Sequence, residues 1–151
     1  MSVAGTAPIE LETTIARAAG AVNTLVPPTI HVIEPDPAVA QGLRSLFVSH
    51  DYAVEVYANA SAFLARGAVL GPGCVIAEHA LPDGSALSLI EQIAARGEPL
   101  AVIVIAARSD VSSAVEAMRA GAFDFLEKPF AQTRLLERAA EAIQATTPER
   151  H

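Results

Sequence analysis

Carboxylates and one lysine are the groups of this chain best suited to chemistry. Glu34 and Asp36 flank Pro35, Glu78 precedes His79, and Asp83 follows shortly after. Lys128, followed by Pro129, is the sole lysine in 151 residues. Carboxylates gathered around an ammonium group can hold a cation, position a phosphoryl group, or close on the ammonium directly. Other chemistries find no motif. No glycine-rich phosphate loop follows the first apolar run, which removes a nucleotide-binding reading. No G-x-S-x-G elbow is present, and Ser85 and Ser109 lack a histidine in motif spacing, so no hydrolase chemistry and no catalytic residue is assigned. Cys74 is the only cysteine, which excludes an internal disulfide and a cysteine-cluster zinc site, and no metal site is assigned.

Whether these groups meet depends on the elements that carry them. From Thr29 the chain alternates two kinds of segment. Short β-rich apolar runs occupy 29–34, 52–57, 73–78, 101–106 and 122–126. Helical patterns occupy 38–50, 60–68, 85–96, 110–120 and 132–143, with apolar residues three and four apart, as at Val39, Leu43, Leu46 and Phe47. Turn signals fall between them at Gly71-Pro72-Gly73, Pro82-Asp83-Gly84 and Gly97-Glu98-Pro99. Five strands alternating with five helices predict an α/β fold with a parallel sheet covered on both faces. Val102-Ile103-Val104-Ile105 shows no polar alternation, as a strand buried on both faces requires. In such a sheet ligands collect at the carboxyl ends of the strands. Those ends are Glu34-Pro35-Asp36, Glu78-His79, Ala106-Ala107 and Glu127-Lys128-Pro129, so the carboxylates and the lysine should converge.

Composition narrows the class further. Hydrophobic residues make up 52% and charged residues 18%, enough for one sizeable core and too apolar for global disorder. The longest uninterrupted apolar stretch, 100–107, is far too short to span a bilayer, and no basic n-region opens the chain. Net charge is −7, from 17 acidic and 10 basic residues, which disfavours a nucleic-acid surface. A cytoplasmic protein with no membrane partner is expected. Residues 1–28 stand outside the repeating pattern. Leu11, Ile15, Ala18, Val22 and Leu25 form one helical stripe, Glu10 and Glu12 suit its first turn, and Pro27-Pro28 stops it. Such a helix would not persist alone in water. It either packs on its own domain or frays, or else docks on a partner or a second copy. Residues 29–145 form the domain and 146–151 a tail.

Three segments carry a family resemblance. They are Ile30-His31-Val32-Ile33-Glu34-Pro35-Asp36, Val75-Ile76-Ala77-Glu78-His79-Ala80-Leu81-Pro82-Asp83-Gly84, and the run from Ala114 through Gly121-Ala122-Phe123-Asp124-Phe125-Leu126-Glu127-Lys128-Pro129-Phe130. Over about three quarters of its length the chain resembles a receiver domain of two-component response regulators, CheY-like and of the FixJ-type subgroup. The resemblance implies a flavodoxin-like (βα)5 doubly wound fold with strand order 2-1-3-4-5 and a place in phosphorelay signal transduction. In the family, two acidic residues after the first strand hold magnesium and an aspartate ending the third accepts phosphate. A Thr or Ser ends the fourth strand, and a lysine follows the fifth. Those positions fall here at Glu34 and Pro35, Glu78, Ala106 and Lys128, and only the lysine is retained. Phe125 takes the place of the family's switch aromatic, and the Lys128–Pro129 bond resembles one that is cis in the family.

The departures have physical consequences. Glutamate displaces the acceptor carboxylate by roughly 1.5 Å, and a misplacement of that order can cost about 10²-fold in phosphoryl transfer. Pro35 offers magnesium no ligand and restricts the backbone through which Asp36 would swing in, so no cofactor is expected and magnesium is disfavoured. Ala106 has no hydroxyl for a phosphoryl oxygen. Glu78 and Lys128 are therefore expected to form a direct ion pair that partly imitates the charge of a phosphorylated acceptor. Ala106 leaves Phe125 nothing to follow, which favours a plain core role for it. Cys74 reads as a core residue and His79 as an exposed loop histidine, while His31 and His50 receive no role. Val111, Val115 and Met118 are expected to pack on the sheet.

The reading is a stand-alone, pseudo-receiver signalling protein rather than an enzyme, since too few residues follow Ile143 for a helix-turn-helix. Its partners would be a histidine kinase or another response regulator, with a homodimer allowed and no nucleic acid. Two alternatives stay open. One is a working phosphoacceptor that uses Glu78 or Asp83. The other is a remnant of a FixJ-type transcriptional regulator without its DNA-binding part.

Overall fold

The computed structural model describes residues 28–67 and 71–147. The expected N-terminal helix and most of the expected tail lie outside the described residues. Four of the five strands of the main sheet form where β-branched and apolar residues run together, and the fifth sets Phe125 and Leu126 between two acidic residues. The strands are β1 (Thr29–Ile33), β2 (Ala53–Tyr57), β3 (Gly73–Glu78), β6 (Leu100–Ala106) and β7 (Asp124–Glu127). A short antiparallel hairpin, β4 (Ala80–Leu81) with β5 (Gly84–Ser85), follows β3 directly. The helices are α1 (Pro37–Val48), α2 (Ala60–Leu64), α3 (Ala86–Arg96), α4 (Ala114–Ala120) and α5 (Gln132–Thr146), and a 3-10 segment (Arg108–Ser113) precedes α4.

The main sheet is parallel throughout, in the order β2-β1-β3-β6-β7. Leaving the hairpin aside, this is the 2-1-3-4-5 order of the flavodoxin-like fold expected from the sequence. Strand alternation then builds two cores. Ile30, Val32, Cys74, Ile76, Ile103 and Ile105 face α1 and α5, where they meet Leu43, Phe47 and Leu135. Ile33, Val75, Ala77, Val102 and Val104 face the other way, against Phe63, Leu89, Ile90, Ile93 and Ala117. β3 is buried along its whole length, as the central strand of such a sheet must be.

Local signals fix the ends of the elements. Asp36 caps α1, its Oδ1 accepting from the backbone N–H groups of Ala38 at 2.9 Å and Val39 at 3.5 Å, and Pro37 opens the helix. Gly97 ends α3 in the left-handed conformation, with φ 67°. Gly73 starts β3 where a Cβ would lie 2.8 Å from the Thr29 carbonyl oxygen, so only glycine fits between the strands. No helix among the described residues is long and apolar enough to cross a membrane.

Four sequence expectations need correction. The second helix was expected over 60–68 but ends at Leu64, after five residues. The hairpin after β3 was not anticipated, because two-residue strands leave no periodic signal. The helix expected over 110–120 opens instead as the 3-10 segment, and α proper starts at Ala114. Three residues per turn instead of 3.6 shift the helical phase, and this overturns the fourth expectation. Ala117 is the residue of α4 that is buried, whereas Val115 and Met118 face solvent at 59% and 47% exposure. The side chain of Val111 lies outside the described part.

One core residue ties stability to acidity. His31 points from β1 into the second core, edge-on to Phe63 at a centroid distance of 5.5 Å, and neither ring nitrogen has a hydrogen-bond partner. Burial pushes its pKa down to about 4, against the opposing charge of Glu55. The unfolded chain takes up this proton near pH 6.5 while the folded chain refuses it until about pH 4, so stability falls as the pH drops through that window. The effect is on the order of 3 kcal/mol. Urea unfolding from pH 7.5 to 4.5 should show His31→Leu losing less stability than wild type by roughly one proton's worth of slope. Parallel curves would assign the acid sensitivity elsewhere.

Candidate functional site

At the carboxyl edge of the sheet, three of the residues singled out from the sequence come together. β1 delivers Glu34, β3 delivers Glu78, and the turn after β7 delivers Lys128. Lys128 Nζ donates to Glu78 Oε1 at 2.5 Å and to Glu34 Oε1 at 3.4 Å, bridging two carboxylates from different strands. The side chains of Glu34 and Glu78 are 2% and 9% exposed, against 30% for Lys128, so the anions are sealed and the cation closes the mouth. The second oxygens are also engaged. Glu34 Oε2 accepts from the backbone N–H of Asp36 at 3.0 Å, and Glu78 Oε2 accepts from that of Ala80 at 3.1 Å. Thus each of the four carboxylate oxygens has a donor from the chain itself.

Electrostatics follow from this arrangement. Burial alone would lower the Lys128 pKa, but the hydrogen bond to Glu78 and the charges of Glu34 and Glu78 outweigh it, and the net shift is upward. A raised lysine keeps its contribution at all pH values below its ordinary range and loses it only under strongly alkaline conditions. The ammonium is therefore fixed in place throughout the neutral range.

The remaining sequence candidates sit around this centre. Asp36 is exposed, and its Oδ1 is engaged in the α1 cap. Pro35, half-buried, lines a groove of about 380 Å³ that also includes Glu34 and runs between α1 and β2. Ala106 is fully buried at the end of β6, and its carbonyl accepts from the Lys128 N–H at 2.8 Å, which locates the lysine turn. The Lys128–Pro129 peptide is cis. Phe125 is half-buried against the second core, and the His79 ring lies edge-on to it at 6.3 Å with Nδ1 buried and unpaired, so His79 is half-buried rather than the exposed loop histidine expected. Cys74 is fully buried, and burial raises its thiol pKa.

Asp83 takes no part in the pocket. Its carboxylate accepts from the backbone N–H groups of Ala60 at 3.1 Å and Ser61 at 2.8 Å and from the Ser61 hydroxyl at 2.6 Å, capping α2 from the hairpin turn. The Ser61 hydroxyl, with help from the backbone, holds this carboxyl below the usual carboxylate range. A five-residue helix cannot stand alone, and its first turn is held by this contact together with the Asn59 side chain, which accepts from the Ala62 N–H at 2.7 Å. Sequence reasoning missed it, since the partners lie 22 and 23 residues apart and neither motif nor period connects them. It also missed an exposed pair, Arg108 with Glu127 at 3.3 Å, which ties the 3-10 segment to the end of β7.

Comparisons with known proteins bear on the family and the fold. The profile of the "Response regulator receiver domain" family matches residues 30–140. The chain is 46% identical to the transcriptional regulatory protein FixJ of Azorhizobium caulinodans over 101 residues, covering 67% of this chain and 48% of that one. It is 35% identical over 119 residues to the FixJ of Bradyrhizobium diazoefficiens, covering 79% of this chain and 58% of that one. Full-length FixJ from B. japonicum superposes with a TM-score of 0.72 at 33% identity, over 80% of this chain and 60% of that chain. The crystal structure titled FixJ-N gives 0.69 at 32%, over 78% and 94%. The chain thus spans about half to three-fifths of the length of these curated relatives.

Removing the bridging cation tests the centre directly. Lys128→Ala leaves two sealed carboxylates without their shared cation and should destabilise the fold by about 3–5 kcal/mol, as loss of one partner of a buried pair does. Arg108→Ala, at an exposed pair, should cost less than about 1 kcal/mol. Urea unfolding at pH 7.5 reads both, and equal costs would mean that the pocket pair has no special standing.

Proposed function

This chain belongs to the response regulator receiver domain family, and on that premise we propose that it is a pseudo-receiver, acting through protein–protein contacts and without ordinary phosphorylation of its acceptor position. A receiver domain of a two-component response regulator is a signalling module. The finer reading is that this one presents a single charge-locked state to its partners. The observation that carries it is the Lys128 ammonium bridging Glu34 and Glu78, at 3.4 and 2.5 Å.

Phosphoryl transfer depends almost entirely on position and charge neutralisation. Glu78 Oε1 already spends its charge on Lys128, and Oε2 accepts from Ala80. Magnesium, which the family implies, requires near-octahedral oxygen donors at about 2.0–2.1 Å. The donor set here does not suit it. Pro35 supplies no side-chain oxygen, Asp36 is committed to the α1 cap, and both Glu34 oxygens accept from protein donors. Among the described residues no group of three His, Cys, Asp or Glu side chains could hold a metal ion. Ala106 has no hydroxyl to draw the following loop inward, so Phe125 and the 3-10 segment are left without the usual trigger. In this reading the ammonium takes the place of both metal and phosphoryl chemistry, in the cytoplasm, and the module is not an enzyme. Its partners are a histidine kinase, another response regulator or a second copy of the chain, and not nucleic acid.

Incubation of the wild type with acetyl phosphate, or with beryllofluoride and magnesium, should give no stable adduct by intact-mass measurement or by 19F NMR. The triple substitution Pro35→Asp, Glu78→Asp and Ala106→Thr should gain a magnesium-dependent adduct, because it returns a ligand, the shorter acceptor and the hydroxyl together. A stable adduct on the wild type would favour a working phosphoacceptor at Glu78.

A further inference from the structure

We propose that the outer edge of β2 is an interface for a second copy of this chain, which pairs there as an antiparallel strand across a two-fold axis through Val56. Among the described residues β2 lies at one end of the main sheet and pairs only with β1. The Tyr57 carbonyl accepts from the Glu34 N–H at 2.9 Å, so the backbone groups of Ala53, Glu55 and Tyr57 turn inward to β1. Those of Val54 and Val56 turn outward and have no backbone partner among the described residues. Such an edge is a template for another strand unless it is very short, charged, bulged or broken by proline. β2 has five residues, neither proline nor lysine, and a single charge at Glu55. The strand is also open, with Ala53, Glu55 and Val56 exposed, Val56 at 40%. At the opposite edge of the sheet β7 has four residues and an acidic group at each end.

A second copy is indicated by how the edge matches itself. With Val56 on the axis, the two Val56 residues exchange both backbone hydrogen bonds, and each Glu55 lies directly opposite Tyr57 of the other copy. The Tyr57 hydroxyl already donates to Glu55 within its own strand at 2.7 Å, so the same two groups suit a contact across the seam. A register centred on Glu55 would set that carboxylate against its own copy, and like charges directly opposite are destabilising. One centred on Val54 sets Glu55 against Ala53 and forgoes the hydroxyl. The helices supply a further match. α1 packs on both β1 and β2, and strands about 4.8 Å apart set the two α1 helices roughly 10 Å apart on one face of the joined sheet, an ordinary packing distance. The groove of about 380 Å³ lies on this outer flank, bordered by Val56, Pro37, Gln41 and Arg44. The axis turns the two helices antiparallel. Arg44, about one turn on from Gln41, then comes level with the opening turn of the other α1, where Asp36 is exposed. The second copy is one of the partners proposed above, but its seat on β2 does not rest on the closed pocket, which the adduct measurement reads separately.

Single cysteines in the full-length chain test the register, since Cys74 is fully buried and stays out of exchange. Hydrogen-bonded antiparallel partners sit about 5.5 Å apart at Cα, within reach of a disulfide, whereas the two Val54 positions would be about 14 Å apart. Val56→Cys should therefore crosslink two chains about tenfold faster than Val54→Cys or Met118→Cys, the last probing the exposed patch on α4. Val56→Pro removes only an outward N–H, which an edge strand tolerates. In sedimentation equilibrium it should weaken self-association about tenfold relative to wild type, with the far-UV circular dichroism unchanged. Equal crosslinking rates at the three positions, a preference for Val54→Cys or Met118→Cys, no crosslink at all, or a wild type still monomeric at about 1 mM would each overturn the proposal. So would a folded Val56→Pro variant that dimerises as well as wild type. If that variant does not fold, the crosslinking rates decide alone.

Discussion

One ammonium group organises the carboxyl edge of this sheet. Two carboxylates from neighbouring strands, almost sealed from water, would repel each other in a low-dielectric site and would each carry a heavy desolvation cost. Lys128 resolves both problems by donating to each. Backbone N–H groups of Asp36 and Ala80 satisfy the outer oxygens, so the anions are held from both sides. The strand order puts β1 and β3 side by side, and β7 lies just beyond β6, so the lysine turn reaches the pair over the end of β6. Ala106 contributes its carbonyl to place that turn. The fold positions the charges, and the charges close the site.

Much of this was legible in the sequence, for identifiable reasons. The apolar run at 102–105 and the helical spacing of Val39, Leu43 and Phe47 are local signals, and they led to a parallel sheet covered on both faces, whereas the strand order came from the family resemblance. Strand ends then located Glu34, Glu78 and Lys128 on one edge without any long-range information. What escaped depends on contacts distant in sequence or on small changes in helical pitch. The role of Asp83 as a remote cap has no local signature. The exposed position of Val115 and Met118 follows from a 3-10 turn that hydrophobic spacing does not reveal. His31 carries no motif, and only burial beside Phe63 makes it unusual. Asp36 was legible as a helix start before Pro37, yet its place in the acidic triplet suggested a pocket role instead.

The departures from the family pattern act together rather than separately. Glu78 reaches the lysine because its side chain is longer, and Pro35 leaves the neighbouring position without a competing ligand. Ala106 removes the group that would respond to a phosphoryl oxygen. Under the proposed reading each change alone would weaken phosphotransfer. Together they surround a pocket in which every carboxylate oxygen of Glu34 and Glu78 accepts from the chain itself.

The hairpin after β3 gives the acceptor position an unexpected reach. Two residues past Glu78 the chain enters β4, and at the tip of the same hairpin Asp83 grips the opening turn of α2. Only four residues separate Glu78 from Asp83, so the end of β3 and the opening turn of α2 are pinned to one short stretch of chain.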